Sequence, residues 1–459
     1  MRVLLYMQAI SVSVLLVSPA VGVEPDPNNP RVTPVVLAYR KARPAVVNIS
    51  STTVVRTYGL FGPGAMDRMF PDPFRRNVEV QSLGSGVLIH PAGYIVTNAH
   101  VVQRARKIEV TLADDTRFAA RVIATEPSRD LAVLKIDPRR DANKQLKPLP
   151  YLPLGRSDDL MVGETVIAIG NPGGLSNTLT QGIISATDRK LEFRGGGKYE
   201  GLIQTDTPIN PGNSGGPLLN IKGEFIGINT AVRADAQNIG FAIPVDALGR
   251  EFPNLLDYER LNRVVLGIEV ETRRNGKTGE SHVVVSTVRK DSPADKAGLR
   301  KGDRLIGIDE LEVKQITDFV CEMIVRKPGE KVSLKVRRDG RTLPVDVTLA
   351  AKPKPDVNQL ARKHFGLTLR QVTPRLAKDL DLPLDAGLLV TGVEEGGPAD
   401  RLGIHLKDVI FQVGRLYVKK PSEIATMLED LQPGDRIRVG LARGNVAAWV
   451  VLPARRKSH

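Results

Sequence analysis

One segment of the chain has the make-up of a nucleophile loop: Gly212-Asn213-Ser214-Gly215-Gly216-Pro217-Leu218. Flanking glycines let the backbone turn sharply and set two N–H groups beside one exposed hydroxyl. Acyl transfer needs that arrangement, a nucleophile with preorganised donors aimed at the developing oxyanion. A free serine hydroxyl is a weak nucleophile, so a base must lie nearby. Among the six histidines, His90 precedes the turn Pro91-Ala92-Gly93, His282, His364 and His405 fall in a duplicated region, and His459 is the last residue. Only His100 has a distinctive setting, Gly93-Tyr94-Ile95-Val96-Thr97-Asn98-Ala99-His100-Val101-Val102, where a strand ends in small residues that could hold an imidazole at a cleft wall. Asp130, in Ser128-Arg129-Asp130-Leu131-Ala132-Val133-Leu134-Lys135, opens an apolar strand and is expected at the edge of a barrel interior. Taken singly, His100 reads as structural and Asp130 as a turn or cap residue. Together, in the order His, Asp, Ser, they match one of the chain orders in which a serine-hydrolase triad recurs.

Three blocks of chain must position these residues. The first, about 33–250, consists of short alternating apolar runs separated by Gly, Pro, Asn and Asp, for example Lys107-Ile108-Glu109-Val110-Thr111-Leu112. Such spacing predicts antiparallel β-structure, in a sandwich or a pair of barrels. A Pro/Gly/Phe/Arg-rich insertion, Tyr58 to Phe74, interrupts the pattern and reads as a long surface loop. The other two blocks repeat each other at one constant offset: Pro293 and Pro398, Asp303 and Asp408, Gly329 and Gly434. Constancy across three separated anchors predicts a duplicated domain. Each copy reads as strands, a short helix at Pro-Ala-Asp, two strands, a longer helix, then two strands. The longer helix is expected at Ile316–Val325 and again at Pro421–Leu431, with Cys321 inside the first as a small buried hydrophobe. Ala351-Lys352-Pro353-Lys354-Pro355-Asp356 forms a stiff, charged linker.

Composition narrows the function. With 459 residues the chain is too long for one hydrophobic core, and about three domains are expected. Hydrophobic residues at 41% and charged residues at 25% exclude wholesale disorder. Aromatics at 4% are too sparse for a stacked nucleic-acid surface. The net charge of +14 is scattered, with short clusters at Arg139-Arg140 and Arg455-Arg456-Lys457, and reads as a solvated face. A single cysteine excludes an internal disulfide framework and CxxC metal or redox motifs. Neither a metal nor an organic cofactor is expected.

At the N-terminus Arg2 is followed by an apolar run from Val3 to Val17 and small residues at Ser18, Ala20 and Gly22, then Glu24-Pro25-Asp26-Pro27. This order predicts a secretory signal over 1–22 and a periplasmic or otherwise exported protein with no stable membrane span after cleavage. The run is short for a span, which takes roughly 20 residues, although a retained anchor is the alternative.

Thr97-Asn98-Ala99-His100-Val101-Val102, Asp130-Leu131-Ala132-Val133-Leu134-Lys135 and Gly212-Asn213-Ser214-Gly215-Gly216-Pro217-Leu218 resemble the triad segments of the HtrA/Deg protease family. Gly170-Asn171-Pro172, Gln204-Thr205-Asp206 and Gly240-Phe241-Ala242-Ile243-Pro244 extend the resemblance, which covers nearly everything after residue 33. It implies a mainly β protein: a chymotrypsin-like double β-barrel protease domain (33–250) followed by two α+β PDZ domains (263–350 and 364–453), with a linker over 351–363. The implied roles are His100, Asp130 and Ser214 as catalytic triad and the N–H groups of Gly212 and Ser214 as oxyanion hole.

The resemblance also implies that Gly212, Asn213, Thr230, Ala231, Val232, Arg233 and Ala234 meet the substrate, and that Ile209, Arg233 and Ile239 shape the pocket for the residue before the cut. The two isoleucines favour a small aliphatic side chain, whereas Arg233 stands where the family pattern has an apolar residue. Asn213 replaces the Asp of zymogen-type enzymes, and an amide cannot pair with a freed N-terminal amine, so no activation by N-terminal cleavage is expected. Leu266-Gly267-Ile268-Glu269-Val270 and Phe365-Gly366-Leu367-Thr368-Leu369 resemble PDZ carboxylate loops with the strand that follows. Read from the residues alone, a glycine in an ordinary turn is the alternative at each site, and the first site is the better candidate. The Tyr58–Phe74 loop and the family pattern imply a homotrimer or larger assembly. Together these features describe a serine endopeptidase that degrades unfolded or damaged proteins and recognises exposed segments and C-termini. Two alternatives stand beside it: a PDZ-based chaperone or scaffold, and a regulatory protease with one dedicated signalling substrate.

Overall fold

The computed structural model of the chain describes residues 29–57, 76–138, 147–170, 178–192, 198–210, 212–232, 238–275, 278–414, 416–444 and 446–455. The expected signal at 1–22, the Tyr58–Phe74 insertion, Arg139, Arg140, Asn171, Pro172, Arg233, Ala234, Arg456 and Lys457 lie outside these residues. The chain divides into two compact units, Met1–Ala351 and Lys352–His459.

Among the described residues of the first unit the first helix is Pro34–Ala42, capped by the Thr33 hydroxyl on the Val36 N–H. Twelve antiparallel strands follow. β1 (Val46–Thr57), β2 (Arg76–His90), β3 (Tyr94–Thr97), β4 (Lys107–Thr111), β5 (Arg117–Glu126) and β6 (Leu131–Lys135) close a barrel in the order β1-β2-β3-β6-β5-β4. β7 (Thr165–Gly170), β8 (Thr178–Glu192), β9 (Lys198–Thr205), β10 (Pro217–Asn220), β11 (Phe225–Val232) and β12 (Gly240–Pro244) close a second in the order β10-β11-β12-β9-β8-β7. Of the two architectures left open by alternation, the chain adopts the pair of barrels. β4 keeps the alternating pattern, with Ile108 and Val110 buried. β3 and β6 are buried along their whole length, which is why both read as continuous apolar runs.

A helix at Val245–Leu255 leads out of the second barrel into the first repeat, whose six-stranded sheet follows the order Ile268–Arg274, Ser281–Val288, Arg304–Ile308, Lys331–Arg338, Arg341–Thr348, with Leu311–Glu312 paired to Arg304–Ile308. The Lys352–His459 unit repeats this order with Leu367–Val372, Gly387–Val393, Val409–Val413, Arg436–Arg443, Val446–Pro453 and the side strand Leu416–Tyr417. The duplicated aspartates have one duty in both copies. Asp303 accepts the Arg300 N–H and pairs with Arg338 at 2.6 Å, while Asp408 accepts the His405 N–H and pairs with Arg443 at 2.6 Å.

The two long helices depart from expectation in detail. The first runs Ile316–Met323 and ends before Val325, with Cys321 buried in it and its thiol pushed up by burial. The second is split into a tight turn at Pro421–Glu423 and a helix at Ala425–Asp430. Glu423 accepts the Lys419 and Lys420 N–H groups just ahead of the turn, and the Ile424 N–H closes it on the Pro421 carbonyl at 3.1 Å.

Within the first unit, repeat and barrels share one apolar core that includes Leu248, Phe252, Phe319 and Met323. Polar contacts pin the same junction: Gln315 Oε1 accepts the Leu154 N–H at 3.1 Å, the Tyr94 hydroxyl donates to the Cys321 carbonyl at 3.3 Å, and Arg274 pairs with Asp158 and Asp246.

Candidate active site

The cleft residues come from both barrels. β3 ends at Thr97; Asn98 stays extended, and a single helical turn, Ala99–Val102, buries Ala99, Val101 and Val102 while leaving His100 half-exposed. Asp130 does not itself open β6. It sits one residue ahead in the left-handed region (φ 53°), a conformation Asp tolerates better than most residues. Its backbone carbonyl accepts the Ala99 N–H and the Asn98 side-chain amide, both at 3.1 Å, so the two loops are joined through main chain before any side chain is considered.

The Asp130 carboxylate, almost fully buried, is addressed by three donors: the His100 backbone N–H at 3.0 Å, His100 Nδ1 at 2.8 Å and the Thr230 hydroxyl at 2.7 Å. A carboxylate at Nδ1 selects the tautomer that carries its proton there and leaves Nε2 as the basic nitrogen. The half-exposed ring therefore has its acceptor free to face a reacting group.

Ser214 lies on a loop built for sharp turning, with Gly212 at φ 108° and Gly215 at φ 85°. Gly215 is required twice over: besides the positive φ, a Cβ there would lie 2.2 Å from both the Ser85 carbonyl oxygen and Thr97 Oγ1. The loop is fastened to the first barrel by Ser85, whose N–H donates to the Ser214 carbonyl at 2.9 Å and whose hydroxyl donates to the Gly212 carbonyl at 2.6 Å. Thr97 secures Ser85 in turn, its hydroxyl donating to the Ser85 carbonyl at 2.7 Å. On the other side the Gly215 N–H donates to Asn229 at 2.8 Å and the Asn229 N–H to Gly216 at 2.9 Å. Among the described residues neither the Gly212 nor the Ser214 N–H has an acceptor, which leaves both available to a ligand.

The Ser214 hydroxyl donates to the Thr230 carbonyl at 3.3 Å and, among the described residues, not to His100. Thr230 thus touches both halves of the site, holding Asp130 with its hydroxyl and Ser214 with its carbonyl. Neither this link nor the Ser85 clasp was visible in the sequence; a serine or threonine inside a strand carries no signal of its partner.

The other expected residues are placed as follows. Asn213 is buried, its amide nitrogen 3.4 Å from the Pro208 carbonyl. Ile209 belongs to the apolar cluster of the second barrel with Val166, Ile184 and Leu218, and Ile239 is half-buried. Thr230, Ala231 and Val232 form the end of β11, and Arg233 and Ala234 lie outside the described residues. Leu266 and Gly267 (φ 88°) precede the strand Ile268–Arg274, which carries Glu269 and Val270. In the second repeat Phe365 ends the helix Val357–Phe365, and Gly366 (φ 74°) caps it, its N–H donating to the Arg362 carbonyl at 3.0 Å, before Leu367 begins the next strand. The described residues contain no group of His, Cys, Asp and Glu able to hold a metal ion.

Two closed β-barrels with a His–Asp pair and a glycine-framed serine in the cleft between them, followed by PDZ-type sheets, define a trypsin-like serine endopeptidase with PDZ repeats. Residues 84–228 match a trypsin-like peptidase domain and residues 264–349 a PDZ domain. A probable periplasmic serine endoprotease DegP-like of Chlamydia trachomatis is 37% identical over 380 residues, covering 80% of this chain and 74% of that protein. One of the same description from Pseudomonas fluorescens is 32% identical over 448 residues, covering 90% of this chain and 91% of its own. Among solved structures, the HtrA-type protease AlgW with decapeptide is 36% identical over 70% of this chain and 99% of its own, with a TM-score of 0.40. The chain belongs to the DegP-like serine endoproteases.

Proposed function

We propose that this serine endopeptidase cuts unfolded or damaged proteins with Ser214 as nucleophile, His100 as general base and acid, and Asp130 as the group that orients the imidazole and stabilises its protonated form. Ser214 Oγ attacks the scissile carbonyl carbon as its proton passes to His100 Nε2. The tetrahedral intermediate collapses with cleavage of the C–N bond, and the same proton goes to the leaving amine. Water then hydrolyses the acyl-enzyme by the reverse proton path. The N–H groups of Gly212 and Ser214, without an acceptor among the described residues, receive the negative oxygen that develops in both steps. Attack requires the Ser214 hydroxyl to turn from the Thr230 carbonyl toward His100.

The observation that supports these roles above all is the 2.8 Å contact between Asp130 and His100 Nδ1, made beside a serine whose loop is clasped to the same barrel. Ile209, Ile239 and Arg233 shape the pocket before the cut, with small aliphatic residues preferred, and Thr230, Ala231, Val232, Arg233 and Ala234 meet the substrate. The PDZ loops at Leu266–Val270 and Phe365–Leu367 capture extended segments and C-termini. An N-terminal signal exports the chain to the periplasm, where a homotrimer acts in protein quality control under stress. Reduced, unfolded protein incubated with the chain tests the enzymatic core: cleavage after small aliphatic residues is expected, with none by Ser214→Ala. Suppression of aggregation without any cleavage by the unaltered chain would favour a chaperone instead.

A further inference from the structure

The carboxylate loop of the first repeat already holds a carboxylate. Glu259 Oε1 accepts the Gly267 N–H at 3.0 Å, and Arg289 Nη2 lies 2.6 Å from both Glu259 oxygens. The Arg289 N–H in turn donates to the Gly267 carbonyl at 2.9 Å, so cation and loop are fixed to one another through main chain. Glu259 arrives from outside the repeat's sheet. It sits on the short helix Tyr258–Leu261 that links the protease region to the repeat, a turn capped by Asp257 and anchored by the buried Tyr258 ring against Phe319. The Glu259 side chain is 14% exposed whereas Arg289 is 57% exposed, so the acid is sequestered and the cation stays open to solvent. Beside them runs a groove of about 650 Å³ with Ile268, Val270, Phe319 and Val320 on its walls.

We infer that Glu259 is a tethered stand-in for a peptide's C-terminal carboxylate, which an incoming free C-terminus must displace, and that Arg289 then passes from Glu259 to the incoming group. This deepens the peptide-capture role proposed above and rests on it. The chemistry is symmetrical: one carboxylate leaves a backbone N–H and a guanidinium, and another of the same charge takes both. The second repeat lacks this tethered side chain on its glycine: the Gly366 N–H donates to the Arg362 carbonyl at the end of its own helix. An occupant competing from within the chain lowers apparent affinity by the fraction of time the loop is vacant. Charge-assisted hydrogen bonds of this kind make that fraction small.

Binding of a labelled peptide with an apolar last residue to the full chain carrying Ser214→Ala, followed by anisotropy, tests the exchange. The peptide is used as free acid and as C-terminal amide. Glu259→Gln keeps the shape of the side chain but gives up its charge, and should tighten the free acid by roughly tenfold while leaving the amide unchanged. Adding Arg289→Gln to Glu259→Gln should remove that gain, and unaltered thermal midpoints establish that both variants are folded. Equal free-acid affinity with and without Glu259→Gln, or a loss on that substitution, would overturn the displacement while leaving the groove a peptide site. Absence of binding of either peptide to either protein would overturn the groove reading and the displacement together.

Discussion

Thr230→Val removes one hydroxyl and little else. Valine nearly matches threonine in shape, and the Thr230 carbonyl that accepts the Ser214 hydroxyl is main chain and stays. What disappears is the 2.7 Å hydrogen bond to Asp130 Oδ2, one of three donors on a carboxylate that is almost fully buried. A hydrogen bond to a charged group contributes about 1.5–3 kcal/mol. If that support is felt mainly when the imidazole carries its second proton, the barrier rises by about the same amount, and about 1.4 kcal/mol is tenfold in rate. The expected loss in kcat/KM is therefore roughly ten- to a hundredfold. It stays short of losing a member of the proposed triad, because Asp130 keeps both His100 donors. The assay is cleavage of an unstructured fluorogenic peptide, with active sites counted by a fluorophosphonate and thermal midpoints measured alongside. Thr230→Ser restores the hydroxyl and should return activity to within about threefold of the unaltered chain. A Thr230→Val enzyme within threefold of the unaltered chain, or a Thr230→Ser enzyme as poor as Thr230→Val, would refute the positioning role.

Three further outcomes are expected. Gly215→Ala should destabilise the first unit by about 2–4 kcal/mol and abolish cleavage, since the methyl meets Ser85 and Thr97 and the backbone is left-handed there; denaturant midpoints and peptide turnover check both. His90 is buried, and burial followed by the nearby Lys135 lowers its pKa to about 4. Below the unfolded value of about 6.5 the unfolded chain takes up a proton that the folded chain refuses, so stability should fall as pH drops from about 6.5 to about 4 and then level off; the full span is about 3 kcal/mol and should vanish in His90→Gln, as urea titrations at pH 7 and 4.5 can show. Burial alone would raise the Asp303 carboxyl, yet Arg338 and the Arg300 N–H outweigh it and hold the pKa below its ordinary value. Its contribution is therefore complete above about pH 4 and fades as pH falls further, and Asp303→Asn should cost about 2–3 kcal/mol at neutral pH and flatten the acid side of the stability profile.

The legible parts of the molecule were those where one residue type announces its own duty. Gly212 and Gly215 flank Ser214 because a left-handed turn needs glycine, and the repeated Asp303 and Asp408 stand at equal offsets because each closes the same loop against an arginine. Alternation revealed β-structure but not closure; a sandwich and a barrel pair share the same period, and only the pairing of β1 with β4 and of β7 with β10 separates them. Illegible were contacts whose partners lie far away along the chain. Ser85 and Thr97 look like ordinary strand residues, yet Ser85 bonds the Ser214 loop and Thr97 holds Ser85. Gly267 and Gly366 read alike as loop glycines, but one N–H meets a side chain and the other a helix carbonyl, a difference set by which element happens to precede each. The helix expected at Pro421–Leu431 is longer than the one formed, because propensity runs on across Ile424 whereas the Ile424 N–H bonds back to the Pro421 carbonyl and closes a tight turn first.

In the proposed mechanism Ser214 and His100 share a proton across the cleft, and the rate of covalent capture reads that directly. The full chain is treated with a fluorophosphonate, the labelled residue is located by peptide mass spectrometry, and the rate is compared with that of His100→Ala. Rapid modification of Ser214 alone, slowed at least a thousandfold or so without the imidazole, is the predicted result. Labelling elsewhere, or equal rates in the two proteins, would contradict it.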